Sequence, residues 1–239
     1  MSFLNAEWRK LVLANYEVDP NILEKYIPAH TELDTWNGRC YVSLVGFMFV
    51  NTKMLGMKIP FHINFEEVNL RFYVKHKSNG EYKRGVVFIK EIVPLPAITL
   101  VANTLYKEHY ETQPMRHKWE SNDKNQIVSY EWKNKKSWQE ITVKADIESQ
   151  VIEAGSEAEF ITEHYWGYTK INENKTFEYE VTHPVWEIYP VQQHCIHIDF
   201  GEVYGRDFEI LNTVEPTSVM LAEGSTITVE KVNRIKPQL

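Results

Sequence analysis

The chain has 239 residues, of which 43% are hydrophobic and 13% aromatic, ample for a packed core and incompatible with a disordered chain. Its 33 acidic and 26 basic side chains leave a net charge of −7, without the basic stripe on which a sequence-independent nucleic-acid binder depends. No apolar run approaches the ~18 residues of a membrane span.

The first sixteen residues carry charges inside their first apolar stretch and no small-residue cleavage site, so they are not read as a signal peptide. Residues 8–16 read as a strand, and Asp19-Pro20 then caps a short helix running to about Tyr26. Residues 32–36 and 39–49 flank Asn37-Gly38, the strongest short hairpin signal in the chain. Residues 65–74 and 84–92 flank a turn containing Ser78, Asn79 and Gly80, and residues 96–108 are helix-like. Residues 115–119, 127–132 and 138–147 read as a meander with polar turns, and Lys133, Lys135 and Lys136 fall in its second turn as a solvated loop. Ser156 is the expected N-cap of a helix to about Glu163. Strands follow at 165–171, 176–181, 185–198 (broken at Pro190) and 218–232, the last interrupted at Glu223-Gly224. No linker, low-complexity tract or repeat divides the chain, so a single domain over residues 1–239 is expected. Its class is α+β, with a curved or barrel-like antiparallel sheet.

The strand at 65–74 separates cleanly into two faces, because strand side chains alternate with period two. Val68, Leu70, Phe72 and Val74 form one; Glu67, Asn69, Arg71 and Tyr73 form the other. The polar face can meet water or wall a cavity. The neighbouring strand favours the cavity, being apolar on both faces (Val86 and Phe88; Val87 and Ile89) as a central strand is. Glu67 and Arg71 lie roughly 13 Å apart along the strand, too far to pair directly but close enough for Asn69 or a ligand to bridge.

Here the chain resembles a known family. Phe65-Glu66-Glu67-Val68-Asn69-Leu70-Arg71-Phe72-Tyr73-Val74 resembles the E-N-R-YV signature of the YqjF-like family, domain of unknown function 2071. The stretches Gly38-Arg39-Cys40-Tyr41-Val42-Ser43-Leu44-Val45-Gly46-Phe47, Arg84-Gly85-Val86-Val87-Phe88, Phe160-Ile161-Thr162-Glu163-His164-Tyr165-Trp166-Gly167-Tyr168 and His183-Pro184-Val185-Trp186 resemble further family motifs in the same order. The resemblance implies an acetoacetate-decarboxylase-like fold: an antiparallel, cone-like barrel with a few flanking helices and an internal cavity. Acetoacetate decarboxylase forms a Schiff base on a lysine whose amine is kept neutral by desolvation and a neighbouring cation. The corresponding region here is residues 100–113, with Tyr110 near the catalytic position and His109 where relatives carry proline. Lys107, the only lysine nearby, stands three positions short and is followed by Glu108; it is read as a surface lysine.

His194, Cys195, His197 and Asp199 are metal-capable, but same-face residues of one strand rarely converge on one ion, so Cys195 is expected to be buried and structural. His183 is a candidate acid/base near Glu163 or Tyr168, with a structural hydrogen bond as the competing role. The tryptophans and tyrosines around it, Trp166, Trp186, Tyr165 and Tyr168, are core aromatics rather than a stacking platform. No phosphate loop, nucleophile elbow or C-x-x-C pair is present. Two cysteines, Cys40 and Cys195, fit a reducing compartment, and a cytoplasmic location is expected.

The sequence is therefore read as binding a small anionic or carboxylated ligand in a barrel cavity, without Schiff-base decarboxylase activity. The expected binding residues are Glu67, Asn69, Arg71, Tyr73, Tyr110 and Tyr168. The alternative is an enzyme of lyase or hydrolase type on a small keto or carboxylic acid, with Glu67, His183 or Tyr110 as its acting groups. No cofactor and no metal are expected. The expected partner is a small molecule rather than nucleic acid or membrane, and a homo-oligomer is compatible with the sequence.

Overall fold

Long runs of β-branched and aromatic residues at period two make this a mostly-sheet molecule with few helices, described over residues 2–235 by a computed structural model. The expected single domain spans residues 1–239, of which 1 and 236–239 lie outside the described residues. The strands are β1 (Leu4–Val18), β2 (Glu32–Leu33), β3 (Cys40–Met54), β4 (Phe65–Ser78), β5 (Glu81–Val93), β6 (Tyr110–Thr112), β7 (Met115–Ser121) and β8 (Asn125–Asn134). There follow β9 (Ser137–Asp146), β10 (Gln150–Val151), β11 (Trp166–Asn172), β12 (Lys175–Thr182), β13 (Glu187–Tyr189), β14 (Val191–His197), β15 (Ser218–Val229) and β16 (Asn233–Arg234). The helices are short: α1 (Pro20–Leu23), α2 (Pro96–Val101), α3 (Glu157–Thr162) and α4 (Phe200–Tyr204).

The main ladder runs β15-β1-β3-β4-β5-β11-β12, and β12 pairs back onto β15 through Val181 with Val229 and Thr182 with Thr228. The sheet therefore curls until it meets itself. Every step is antiparallel except β5 to β11, where Gly85 and Val86 pair in parallel with Trp166 and Gly167. β6 also runs parallel to β5, further along the same edge. A second sheet, β14-β9-β8-β7, covers the outer face. There Val68, Leu70, Phe72 and Val74 join Val128, Tyr130, Trp132, Ile141 and Val143 in one buried cluster. The two sheets approach so closely that a Cβ on Gly46 of β3 would lie 2.9 Å from the Tyr130 ring. The inner face carries a separate cluster, Leu11, Leu13, Val45, Phe47, Phe65 and Phe160 among others.

Several expected elements form with adjusted limits. The β4–β5 hairpin turns at Asn79-Gly80, Ser156 caps α3 by accepting from Glu159 N, and the meander is β7, β8 and β9. Asn37 and Gly38 make the left-handed turn (φ 50° and 78°), yet beyond the Trp36–Arg39 bridge the arms diverge: β2 pairs with β4, and β3 with β1 and β4. The helix expected to about Glu108 is α2 followed by a π-helical stretch to Tyr106, ended by Lys107 at φ 61°. The expected break at Glu223-Gly224 does not occur, because β15 runs on with Gly224 at φ 78° against Trp8 O. Pro190 divides residues 185–198 more completely than expected, sending β13 and β14 to different sheets. α4 fills a stretch for which no element was expected.

Gly167 of β11 sits directly across from Tyr179 of β12, and a Cβ there would stand 2.1 Å from the Tyr179 ring. Gly167→Ala is expected to push that ring aside and lower the melting temperature by about 3–10 °C, since overpacking of this kind costs ~1–3 kcal/mol. Differential scanning calorimetry of the variant checks this; an unchanged transition would show that Tyr179 is free to move.

Candidate functional site

The curled sheet encloses a cavity whose wall is largely aromatic and aliphatic, with Trp8, Phe47, Phe49, Phe65, Phe88 and Trp186 among its lining. Its polar side chains come from a few strand positions. Glu67, Asn69 and Arg71 enter from β4, because the opposite face of that strand is committed to the core beneath the second sheet. On β5 the register jumps between Leu70–Lys90 and Arg71–Phe88, leaving one extra residue. This bulge turns the strand, so Val86, Phe88 and Glu91 all face the cavity. Asn69 of β4, Glu91 of β5 and Tyr110 of β6 thereby lie side by side across three strands.

Three buried carboxyl groups share this end of the cavity. Glu67 Oε1 accepts from Asn69 Nδ2 at 2.9 Å, and Glu67 Oε2 accepts from the Tyr110 hydroxyl at 3.0 Å. Glu108 Oε1 accepts from Thr169 Oγ1 at 2.7 Å and from the Tyr179 hydroxyl at 3.0 Å. Glu91 is 2% exposed, and its Oε2 has no hydrogen-bond partner. No lysine or arginine makes an ion pair with any of the three among the described residues. Burial therefore dominates their ionisation. It pushes Glu67 up to about 7 against the hydrogen bonds and the more distant Arg71, and Glu108 likewise to about 7. Burial raises Glu91 well above the ordinary carboxyl value, helped by repulsion from Glu108 and Glu67 and opposed by the nearby Tyr110 hydroxyl. The Tyr110 and Tyr179 hydroxyls, buried beside these acids, stay protonated.

The other polar end is cationic. Arg71 is 8% exposed, its Nη2 reaches only Ile161 O at 3.5 Å, and its Nε has no partner. It makes no ion pair among the described residues. Nearby, Asp34 Oδ2 accepts from Arg84 Nε at 2.6 Å and from His164 Nε2 at 3.1 Å. Burial raises the Asp34 carboxyl, but the His164 and Arg84 hydrogen bonds outweigh it and hold the group at about 2. Burial lowers His164 to about 4, so the ring is neutral at neutral pH. Because ionised Asp34 can only accept, Nε2 carries the proton and Nδ1 is left as a buried acceptor without a partner.

Four of the residues expected at the site, Glu67, Asn69, Arg71 and Tyr110, line the cavity together. His183 lines it too, but near Tyr165 and Glu163 rather than Tyr168. Its Nδ1 donates to Pro184 O at 2.9 Å, and its ring stacks on Trp186 at 4.3 Å. Tyr73 is buried behind the wall, its hydroxyl 2.6 Å from Ser43 Oγ. Tyr168 lies on the other side of the sheet, in the outer core, and its hydroxyl donates to Lys83 O; it is Trp166 and Gly167 of that strand that line the cavity. Lys107 points to solvent. Cys195 is exposed on β14 rather than buried, because that strand is an edge of the second sheet. Asp199 caps α4 instead of sharing a face with His197. Among the described residues no group of three or more His, Cys, Asp or Glu is arranged to hold a metal ion, and no helix is long and apolar enough to cross a membrane.

Glu91 was not visible in the sequence, because strict alternation from Val87 and Ile89 puts it on the outer face. Glu108 stood in view only as the neighbour of Lys107; the left-handed Lys107 turns the chain so that Glu108 points in. His164 falls within a quoted motif without any sign of its buried partner Asp34, 130 residues away.

The DUF2071 family, described as an uncharacterised conserved protein, matches residues 5–226. The uncharacterised protein YqjF of Bacillus subtilis (strain 168) is 28% identical over 180 residues, covering 75% of this chain and 72% of that one. Among solved structures, acetoacetate decarboxylase from Legionella pneumophila superposes with a TM-score of 0.65 at 12% identity, over 98% of this chain and 87% of the other. The enduracididine biosynthesis enzyme MppR complexed with pyruvate gives 0.67 at 11% identity, over 99% and 91%. These likenesses establish the acetoacetate-decarboxylase-like fold.

The raised carboxyls have a consequence for stability. The folded chain holds the Glu67 proton up to about pH 7, whereas an unperturbed glutamate releases it near 4.5. Folding thus takes up a proton in that interval, and the stabilisation present below pH 4.5 is lost as pH rises through 7. His164 acts oppositely, adding stability above 6.5 that is lost as pH falls through 4. Glu67→Gln removes only the first effect. It is expected to match the wild type near pH 4.5 and to melt about 3 °C or more higher at pH 8. Denaturation profiles of the two proteins that run parallel from pH 4.5 to 8 would count against it.

Proposed function

This chain belongs to the DUF2071 family, and on that premise we propose that it binds a small anionic ligand, a carboxylate, in its central cavity, without Schiff-base chemistry. The observation that carries this reading is Arg71: a guanidinium buried in the cavity wall with no acidic partner and an unpartnered Nε. A charge taken out of water is costly unless paired, and a bidentate carboxylate supplies the geometry a guanidinium accepts best. Thr162 and His164 line the same end, where His164 Nδ1, an acceptor, can take an N–H or O–H of the ligand but not its carboxylate. Glu67, Asn69 and Tyr110 meet the remainder of the ligand. A protein of the same fold, MppR, has been solved with pyruvate, a small keto acid of this class.

Among the described residues no lysine lines the cavity, and Lys107 is exposed at a left-handed turn. Tyr110 stands in the cavity near the position where the decarboxylase resemblance calls for the lysine. A phenol cannot form an imine, and this supports binding without the covalent chemistry of acetoacetate decarboxylase.

A second reading is favoured by one observation. Glu67 ionises near 7 and is hydrogen-bonded to a phenol, the state of a group able to give or take a proton at neutral pH. With Arg71 holding a carboxylate, Glu67 would then act on a carbon or oxygen of a small keto acid. Deuterium exchange beside the carbonyl of such an acid, seen by NMR with wild type and lost in Glu67→Gln, would favour this reading over binding alone.

Binding itself is tested by thermal shift with a panel of small carboxylates and keto acids. Saturating ligand is expected to raise the wild-type melting temperature by about 5 °C or more. Arg71→Gln should abolish the rise, and an equal rise in that variant would remove Arg71 from the site. Borohydride reduction in the presence of pyruvate is expected to leave the protein mass unchanged; an adduct would overturn the exclusion of an imine.

A further inference from the structure

The cavity is bipolar. At one end stands Arg71; at the other stand Glu67, Glu91 and Glu108 with the Tyr110 and Tyr179 hydroxyls. Donors and acceptors at the acidic end do not balance. The Asn69 amide and the Tyr110 hydroxyl are both given to Glu67, and the Thr169 and Tyr179 hydroxyls are both given to Glu108. Glu91 Oε2 and Asn69 Oδ1 remain as acceptors with no partner, on residues 2% and 1% exposed that both line the cavity. With Glu67 ionised, and so an acceptor only, the donation to it fixes which way the Asn69 amide faces, and its oxygen stays an acceptor. Once the acids are ionised, buried acceptors of this kind call for N–H or O–H groups that the described residues do not provide.

We propose that the ligand held by Arg71 also carries a cationic nitrogen, an ammonium or guanidinium, seated among Glu67, Asn69, Glu91 and Glu108. This rests on the Arg71 reading for the anionic end and on the unpartnered acceptors for the cationic one. An ammonium is the occupant that offers several N–H bonds and matches carboxylates in charge. The acids do not converge closely enough to grip a metal ion, which suits a larger organic cation whose N–H bonds splay outward. Aromatic rings complete the seat: Tyr106 lies edge-on to Tyr179 at 5.1 Å, both lining the same wall, and ring faces attract ammonium groups. Glu67 and Arg71 are roughly 13 Å apart along β4, so the ligand's two charges are separated by several bonds. An ω-amino or guanidino acid provides such a separation.

Proton exchange accompanies this binding. In the empty cavity the three acids are kept protonated around neutral pH by burial and by one another. The groups facing them are the Tyr110 and Tyr179 hydroxyls, which stay protonated, and at longer range the Arg71 guanidinium; His164 and His183 lie toward the Arg71 end, their charged forms disfavoured by burial. A cation entering the acidic end takes the place of those protons, so protons are released and affinity rises between about pH 6 and 8.

Calorimetric titration of the intact protein decides the matter, with 4-aminobutanoate, 6-aminohexanoate and 8-aminooctanoate set against butanoate, hexanoate, octanoate and hexylamine. At pH 8 at least one amino acid of the series is expected to bind about tenfold or more tighter than its amine-free counterpart, with proton release measured in buffers of different ionisation enthalpy. Glu91→Gln should bring the pair to near parity while leaving the amine-free carboxylate unaffected. A wild type with no such preference at any chain length overturns the inference, and this comparison stands even if Glu91→Gln does not fold. The two readings fail separately. Carboxylates bound through Arg71 with no gain from an amine leave the anion site and remove the cation seat. Hexylamine bound through Glu91, with Arg71→Gln changing nothing for any carboxylate, does the reverse.

Discussion

A strand that must bury one face under a second sheet and turns a carboxylate, an amide and a guanidinium to the other face has few ways to remain folded. In this molecule β4 is that strand. Its apolar face is sealed by β8 and β9, so register is not free to slip: a shift of one residue would place Glu67, Asn69 and Arg71 in the outer core. The polar face is taken out of water by the closure of β12 onto β15. From that closure follow the raised carboxyls, the neutral His164 and the unpaired Arg71, because each reflects loss of solvent rather than a strong neighbouring charge.

The outer sheet and the cavity are mechanically linked through this arrangement. Gly46 lets Tyr130 approach β3 within van der Waals contact, and the Tyr130 hydroxyl donates to Lys10 O on β1 at 2.8 Å. Gly167 performs the corresponding service inside, where the Tyr179 ring lies over it on the way to Glu108. In both places a missing side chain allows an aromatic ring to cross a strand. The effect of such a position on the site is indirect, through the placement of a hydroxyl that one buried acid requires.

Much of this was legible from period-two patterning, and the exceptions have identifiable physical causes. The two faces of β4 were readable because both obey alternation over ten residues, and the hairpin to β5 was readable from its Asn-Gly turn. Glu91 was hidden by the bulge at the Leu70–Arg71 step, which reverses the parity of every β5 residue beyond it. Glu108 was hidden by the left-handed Lys107, a conformation that ordinary residues seldom adopt and patterning does not foresee. Tyr168 was assigned from its place in a motif, whereas the strand's parity sends Gly167 inward and Tyr168 outward. Asn37-Gly38 made the expected turn, yet the flanking strands chose other partners, since long-range pairing with β1 and β4 buries more surface than a local hairpin does. Local chemistry was readable; departures from regular geometry were not, and two of the three acids sit at such departures.

That coincidence bears on what the cavity is for. A bulge and a left-handed residue each interrupt regular backbone geometry, and each here carries a carboxyl group into a wall where it is costly to bury. Packing alone would be better served by an apolar residue at either position, since neither acid is paired with a cation among the described residues. Glu108 at least receives two hydroxyls, but Glu91 Oε2 receives none. At the opposite end Arg71 is equally unserved. The cavity thus keeps unpartnered acceptors, Glu91 Oε2 and Asn69 Oδ1, at one end and the unpartnered Arg71 Nε at the other. A single ligand with opposite charges at its two ends would meet both.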